Sequence, residues 1–134
     1  MRFVAAALVT VLGLAGLAIH ASRGHSAAWH PVTRSDLAAR GRKLYYDDSC
    51  RGCHTIDGKG NAGPTFKHLY GRRVKLRSGK TVTANDAYLL RSIMNPNADI
   101  VATYLPNVMT MVIRKGTVPR TDALALVAFI KSLR

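Results

Sequence analysis

Glutamate is absent from this chain of 134 residues, and its acidic residues are seven aspartates. Twenty lysine and arginine residues oppose them, so the formal net charge is +13 at pH 7. Such an excess attracts anionic partners: nucleic acid, an anionic membrane surface or an acidic protein face. The sequence carries no recognisable nucleic-acid-binding motif, which argues against nucleic acid and favours a protein or a membrane.

Aromatic residues are scarce as well, at 7% of the chain, and cysteine occurs only twice, at Cys50 and Cys53. A small domain buries a modest fraction of its surface, so a metal, a cross-link or a cofactor often completes its core. A large buried prosthetic group would help to fill an interior with so few aromatic rings.

The N-terminus carries an apolar run from Phe3 to Ile19, preceded by Arg2. This run is long for the core of a signal peptide and slightly short for a membrane span, which needs about 20 residues. We interpret residues 1–21 as a signal peptide or an N-terminal membrane anchor and residues 22–32 as a small, polar linker. Either alternative places the remaining domain in the periplasm, soluble or anchored to the outer face of the inner membrane.

Three segments of the domain over residues 33–134 repeat apolar residues at helical spacing. The first starts at Thr33 or Ser35 and ends near residue 47; the second covers residues 84–94. The third begins near residues 119–122, with Thr121 as its N-cap, and continues to the C-terminus. The fold class is therefore all-α, with three main helices and long loops.

Two further features of the domain bear on how its helices are arranged. Val74 and Leu76 alternate with basic residues ahead of a Ser-Gly turn, which predicts a short β-hairpin near residues 74–83. Gly41 lies inside the first helix, where glycine costs up to about 1 kcal/mol against alanine, so we expect another helix to approach it closely. Loops this long in so small a domain indicate a cofactor that they surround.

Both cysteines belong to the sequence Cys50-Arg51-Gly52-Cys53-His54. If these residues form a turn of helix, the two thiols and the imidazole project from one side, because positions three and four apart are neighbours. That arrangement suits a flat macrocycle, whose two vinyl groups bond to the thiols while His54 ligates its iron. Cys-x-x-Cys-His is the signature of c-type haem attachment. We therefore predict one covalently attached haem c, with His54 as the proximal iron ligand.

Three alternatives account for the cysteines without haem. A structural zinc site needs four ligands, and with no further cysteine it would have to recruit His30 and His68 at arbitrary spacings. A thioredoxin-like dithiol needs a βαβ context, and this chain offers few strands. A plain disulfide would leave His54 without a role. A non-haem zinc or thiol protein is thus the remaining alternative class.

Residues 34–134 resemble the class I c-type cytochromes, which carry a single haem. The landmarks follow the family's order: GRKLYYDDSCRGCH, GPTFKHLYGRRV, a helix ending in SIMNP, YLPNVM, and a C-terminal LVAFIKSL. The chain is similar to mitochondrial-type cytochrome c, and closer still to the cytochrome c domain of subunit II of some haem–copper oxidases, which share a KTVTANDAYLLRSIMNP-like stretch. The resemblance implies the cytochrome c fold, with three helices and long loops wrapped around one covalently bound haem.

The resemblance also implies roles for single residues around the cofactor. Pro64 would lie on the proximal side, in a Gly-Pro pair whose backbone orients the histidine. Arg72 occupies the place where the family often has a propionate-binding arginine. Gly41 and Tyr45 of the first helix would cross the last helix at Leu126 and Phe129, which accounts for the glycine within a helix.

The distal iron ligand implied by the resemblance is Met109, in YLPNVM. A thioether is a soft, uncharged ligand that raises the reduction potential. The residues alone leave Met111 as the rival, with His68 or an open site as further alternatives. The chain also departs from the family here, because Thr110 stands where a proline usually follows the ligand.

An iron held by both histidine and methionine has no site for a substrate, so the resemblance implies electron transfer rather than catalysis. The expected function is single-electron transfer between respiratory-chain partners, to a terminal oxidase or from a dehydrogenase or reductase. An open distal site would instead allow ligand binding or peroxidase-like chemistry. A basic stretch would steer the domain to an acidic docking face on a redox protein. This basic stretch consists of Lys59, Lys67, Arg72, Arg73, Lys75, Arg77 and Lys80.

Overall fold

The computed structural model describes residues 31–134 of the chain. The predicted signal peptide or anchor over residues 1–21 lies outside these residues, as does the linker up to residue 30. Among the helices of residues 31–134, none is both long and apolar enough to cross a membrane.

Three α-helices and a two-stranded antiparallel sheet make up the regular structure of this part. In chain order the elements are α1 (Arg34–Asp47), β1 (Arg73–Lys75), β2 (Thr81–Thr83), α2 (Asp86–Met94) and α3 (Arg120–Ser132). Two one-turn 3-10 helices lie in the loops, at Cys50–Gly52 and Met109–Met111. The prediction of a mostly helical domain with three main helices, long loops and one short hairpin is confirmed.

The helix starts follow local capping chemistry in two of three cases. Thr33 caps α1 through a capping box with Asp36, in which each side chain accepts a hydrogen bond from the other residue's backbone N–H. Asn85 caps α2 by accepting from the N–H of Tyr88 at 3.0 Å. The predicted cap at Thr121 is wrong, because α3 already begins at Arg120 after Pro119. Proline holds φ near the helical value and needs no N–H partner, so it starts the helix without a side-chain cap.

The crossing of α1 and α3 depends on Gly41, which is buried. A Cβ atom at this position would overlap the carbonyl oxygen of Ala125 and lie 2.8 Å from the Cβ of Phe129. The predicted close approach is therefore present, and Ala125 and Phe129 supply the atoms nearest to it. Leu126, also predicted at the crossing, is buried and lines a cavity.

Aromatic rings fill the interior between the helices and the loop after α1. The ring of Tyr45 lies 5.5 Å from that of Phe129 and 5.8 Å from that of Phe66. The Tyr45 hydroxyl donates to the carbonyl oxygen of His54 at 2.8 Å. This cluster ties the first helix to the segment that contains both cysteines.

The hairpin is joined to the long loop after α2. Val74 pairs with Val82 across the two strands, and Leu76 forms an isolated antiparallel bridge with Val101. The N–H of Arg77 donates to the carbonyl of Ile100 at 2.8 Å. One edge of β1 thus pairs with β2, while residues 75–77, at the end of the strand, contact residues 100–102.

Candidate functional site

A cavity of about 330 Å³ lies between the loop after α1, helix α2 and the loop before α3. Its volume falls within the roughly 300–1,000 Å³ typical of ligand and cofactor sites. Cys50, Cys53, His54 and Met109 all line it, from two segments far apart in the chain. The fold therefore brings the predicted attachment residues and the predicted distal residue to one space.

The cysteines reach this cavity through a tight turn. Ser49 enters the turn with φ 65°, and the N–H groups of Cys53 and His54 donate to the carbonyl of Cys50 at 3.2 and 2.9 Å. The helical turn predicted for residues 50–54 is thus present. Both thiols are free rather than joined in a disulfide, and burial raises the pKa of the Cys50 thiol.

The imidazole of His54 is held by a carbonyl at its edge and by an aromatic ring on its face. Nδ1 lies 2.8 Å from the carbonyl oxygen of Pro64, and the Phe66 ring stacks on it at 4.6 Å between centroids. Burial lowers the pKa of His54, which favours the neutral ring. A neutral ring that donates from Nδ1 to a carbonyl keeps Nε2 unprotonated, as a metal ligand must be.

Because Gly63 has no side chain, the His54 imidazole can occupy the space beside it. A Cβ atom at position 63 would lie 2.5 Å from Cε1 and 2.7 Å from Nδ1 of His54. The Gly63 N–H also donates to the carbonyl of Cys53 at 2.9 Å, which closes the loop back onto the turn. The Gly-Pro pair indicated a role for this backbone, but nothing in the sequence assigned the packing role of Phe66.

Met109 and Met111 differ sharply in position. Met109 is half-buried and lines the cavity, whereas Met111 is 84% exposed and does not line it. The two residues lie at opposite ends of a one-turn 3-10 helix. His68, the further alternative, is exposed and lies away from the cavity lining.

Arg72 is exposed and is not among the residues that line the cavity. Its backbone supports the base of the hairpin, where its carbonyl accepts from the N–H of Ala84 at 2.9 Å. A propionate contact for this side chain therefore stays a prediction.

The cavity wall also contains a buried hydroxyl that reasoning from the sequence missed. Ser92, on α2, carries the one buried side-chain oxygen or nitrogen of residues 31–134 that lacks a hydrogen-bond partner. Leaving such a group unsatisfied costs about 1–3 kcal/mol, so a bound group with a polar atom would suit this wall. Across the same residues, no three His, Cys, Asp or Glu side chains are grouped to hold a metal ion. His30, which the zinc alternative would recruit, lies outside the described residues.

A comparison with known protein families agrees with this chemistry. A family model described as cytochrome c matches residues 38–134. That range contains every residue that lines the cavity. No curated protein matches the chain.

Proposed function

The chain belongs to the cytochrome c family, and on this premise we propose that it is a single-haem carrier that passes electrons between respiratory-chain partners. Membership implies a haem electron carrier with covalently attached haem c, and the Cys-x-x-Cys-His sequence is consistent with that attachment. When bound, this group supplies a one-electron iron couple. The observation that carries the proposal is the meeting of Cys50, Cys53, His54 and Met109 at one cavity.

On the proximal side, Cys50 and Cys53 would form the thioether links and His54 would ligate the iron through Nε2. The Pro64 carbonyl holds the opposite ring nitrogen, and Phe66 restricts ring rotation. A hydrogen bond of this kind raises the basicity of a ligating imidazole and fixes its direction.

Met109 would supply the second iron ligand from the protein. Its place on the cavity wall supports this assignment over Met111, whose side chain faces solvent. If His54 and Met109 both ligated the iron, no place would remain on the metal for a substrate, so we infer a carrier rather than an enzyme.

The surface charge supports an acidic redox partner. All seven cations of the basic stretch are exposed, and none takes part in the four ion pairs found within residues 31–134. A positive surface without internal neutralisation attracts an acidic docking face on a dehydrogenase, reductase or oxidase. The apolar N-terminal run supports a periplasmic location, soluble or tethered to the membrane.

Two measurements on the purified protein test this proposal. Mass spectrometry should find a haem-sized increment that survives acid–organic extraction, since thioether links are covalent. The oxidised protein should show the weak long-wavelength band of an iron–sulfur bond.

Met109→Ala should abolish that band, while Met111→Ala should retain it. Tight carbon monoxide binding by the reduced wild-type protein would instead indicate an open distal site.

A further inference from the structure

Two asparagines close the loop between α2 and Met109. The Oδ1 atom of Asn97 accepts the backbone N–H of Asn107 at 3.0 Å, and its Nδ2 atom donates to Oδ1 of Asn107 at 2.6 Å. A backbone N–H can only donate, so the first bond fixes which end of the Asn97 amide is the oxygen, and the second bond follows from it. We call this pair the asparagine clamp.

Asn107 is also the residue on which the turn bearing Met109 is built. Its φ of 66° lies in the left-handed region, which asparagine adopts more readily than most residues. Its carbonyl oxygen accepts from the Thr110 hydroxyl at 2.8 Å and from the Met111 N–H at 3.3 Å. Met109 therefore sits inside a turn whose first residue is held in place by the asparagine clamp.

The other half of the clamp is anchored to the helical core. Asn97 directly follows Pro96, which is buried at the end of α2. The carbonyl of Met94, in the last turn of α2, accepts from the N–H of Gly116 at 3.1 Å, so the loop is held to the same helix end on both sides of Met109. The two asparagines themselves line the cavity.

No proline follows Met109, so Thr110 leaves the backbone there without a ring that fixes φ. The Thr110 hydroxyl donates to the Asn107 carbonyl, which restrains the turn through a side-chain hydrogen bond instead. We propose that the clamp of Asn97 and Asn107 positions Met109 for ligation by holding its turn against the end of α2. This inference rests on the proposed function, in which Met109 is the distal ligand.

A pair of substitutions equal in size and charge tests the clamp in the haem-loaded protein. Asn97→Asp replaces the donor Nδ2 by an oxygen that faces Oδ1 of Asn107, so one bond is lost and two acceptors repel. Asn107→Asp keeps the acceptor and strengthens it, and aspartate also tolerates positive φ.

The experiment measures the binding of added imidazole to the oxidised protein. Loss of the iron–sulfur absorption band reports this binding. Imidazole must displace the thioether, so its apparent affinity reports how firmly Met109 is held. We expect Asn97→Asp to bind imidazole roughly tenfold more tightly than the wild type, and Asn107→Asp to stay within about twofold of it.

Two further variants separate the clamp from general destabilisation. Asn107→Gly keeps the backbone conformation but removes the side-chain acceptor, so it should also weaken the hold on Met109. Asn95→Ala changes a neighbouring asparagine outside the clamp and should match the wild type. Equal imidazole affinity in Asn97→Asp, Asn107→Gly and wild type would overturn the clamp. An iron–sulfur band that persists in Met109→Ala would instead overturn the ligand assignment, and the clamp's role with it.

Discussion

The Nδ1 atom of His54 lies 2.8 Å from the carbonyl oxygen of Pro64, ten residues further along the chain. The loop between them must turn sharply, and Gly63 makes that turn directly beneath the imidazole. The position of the ring thus depends on a residue that has no side chain.

Gly63→Ala should therefore displace the imidazole. The added Cβ would meet Cε1 of His54 at 2.5 Å, and overpacking of this kind costs about 1–3 kcal/mol. We expect a lower yield of haem-loaded protein, a lower thermal midpoint and a shifted reduction potential, measured by absorption spectroscopy and redox titration. Gly52→Ala is the matched control, because an added Cβ there meets no atom within 4 Å. Equal behaviour of the two variants would contradict the steric role of Gly63.

Gly41→Ala should destabilise the crossing of α1 and α3 despite the helical preference of alanine. Replacing glycine in a helix gains up to about 1 kcal/mol in propensity. The new Cβ would overlap the carbonyl oxygen of Ala125, a backbone atom that cannot move alone, and such overpacking costs about 1–3 kcal/mol or more. The free energy of unfolding of the haem-loaded protein should fall in denaturant titrations. If Gly41→Ala were more stable than the wild type, α1 and α3 could move apart without loss of stability, and the prediction would be wrong.

Asp86→Asn should produce a small, pH-dependent loss of stability. Asp86 pairs with Lys131 at 2.9 Å, and the hydrogen bond from Lys131 lowers the pKa of this carboxyl in the folded state. The stabilisation of the fold by the Asp86 carboxylate is therefore complete above the ordinary aspartate pKa of about 3.9. It is lost as the pH falls through the lower pKa that Asp86 has in the folded state. Because both groups are partly exposed, we expect less than about 1 kcal/mol at pH 7.

The measurement for this pair is a double-mutant cycle of Asp86→Asn and Lys131→Gln, by denaturant unfolding at several pH values. The coupling energy should be largest near pH 7 and should vanish in acid. A coupling that is unchanged between neutral pH and pH 2 would contradict the ion pair as its source.

The basic stretch should accelerate electron exchange with anions. The side chains of Arg73 and Lys75 project from the same face of β1, since residues two apart in a strand share a face. We expect the rate of oxidation by hexacyanoferrate(III) to fall as salt rises, because the Debye length is only about 10 Å at 0.1 M. Replacing both residues by glutamine should lower the rate at low salt and flatten its salt dependence.

A second pair of substitutions distinguishes a local docking surface from net charge. Arg42→Gln with Lys43→Gln on α1 removes the same charge, and Lys43 is already paired with Asp47. A local surface predicts a smaller effect for this pair than for the hairpin pair. If the two double variants change the stopped-flow rate equally, the effect comes from the net charge of the protein and not from a local docking surface.

Local patterns in the sequence were sufficient for the helices, the hairpin and the turn that holds both cysteines. The helices and the turn depend on neighbours three or four residues away, and the hairpin pairs residues at most ten apart, so apolar periodicity, the Ser-Gly turn and the Cys-x-x-Cys-His spacing indicate them directly. The start of α3 lies within the predicted residues 119–122, but the cap at Thr121 was wrong because a proline can precede a helix without a capping side chain. Gly41 indicated a helix crossing, but the contact at Ala125 depends on how two backbones meet in space.

Contacts between distant loops could not be read from the sequence. Asn97 and Asn107 are ordinary loop residues by composition, and their pairing appears only once the chain folds back. The same holds for Phe66 on the His54 ring and for the unpartnered hydroxyl of Ser92. Each of these depends on a side-chain direction that no periodic pattern specifies.

The bridge between Leu76 and Val101 also affects how the domain meets other copies of itself. An unpaired strand edge is a template for intermolecular β-sheet growth, and two-stranded hairpins commonly carry two such edges. Here the loop of residues 100–102 covers the outer side of β1 at its end, and the sheet's other margin is the three-residue β2. So short a margin, which contains Thr81 and Thr83 and follows Lys80, disfavours strand pairing between copies of the domain.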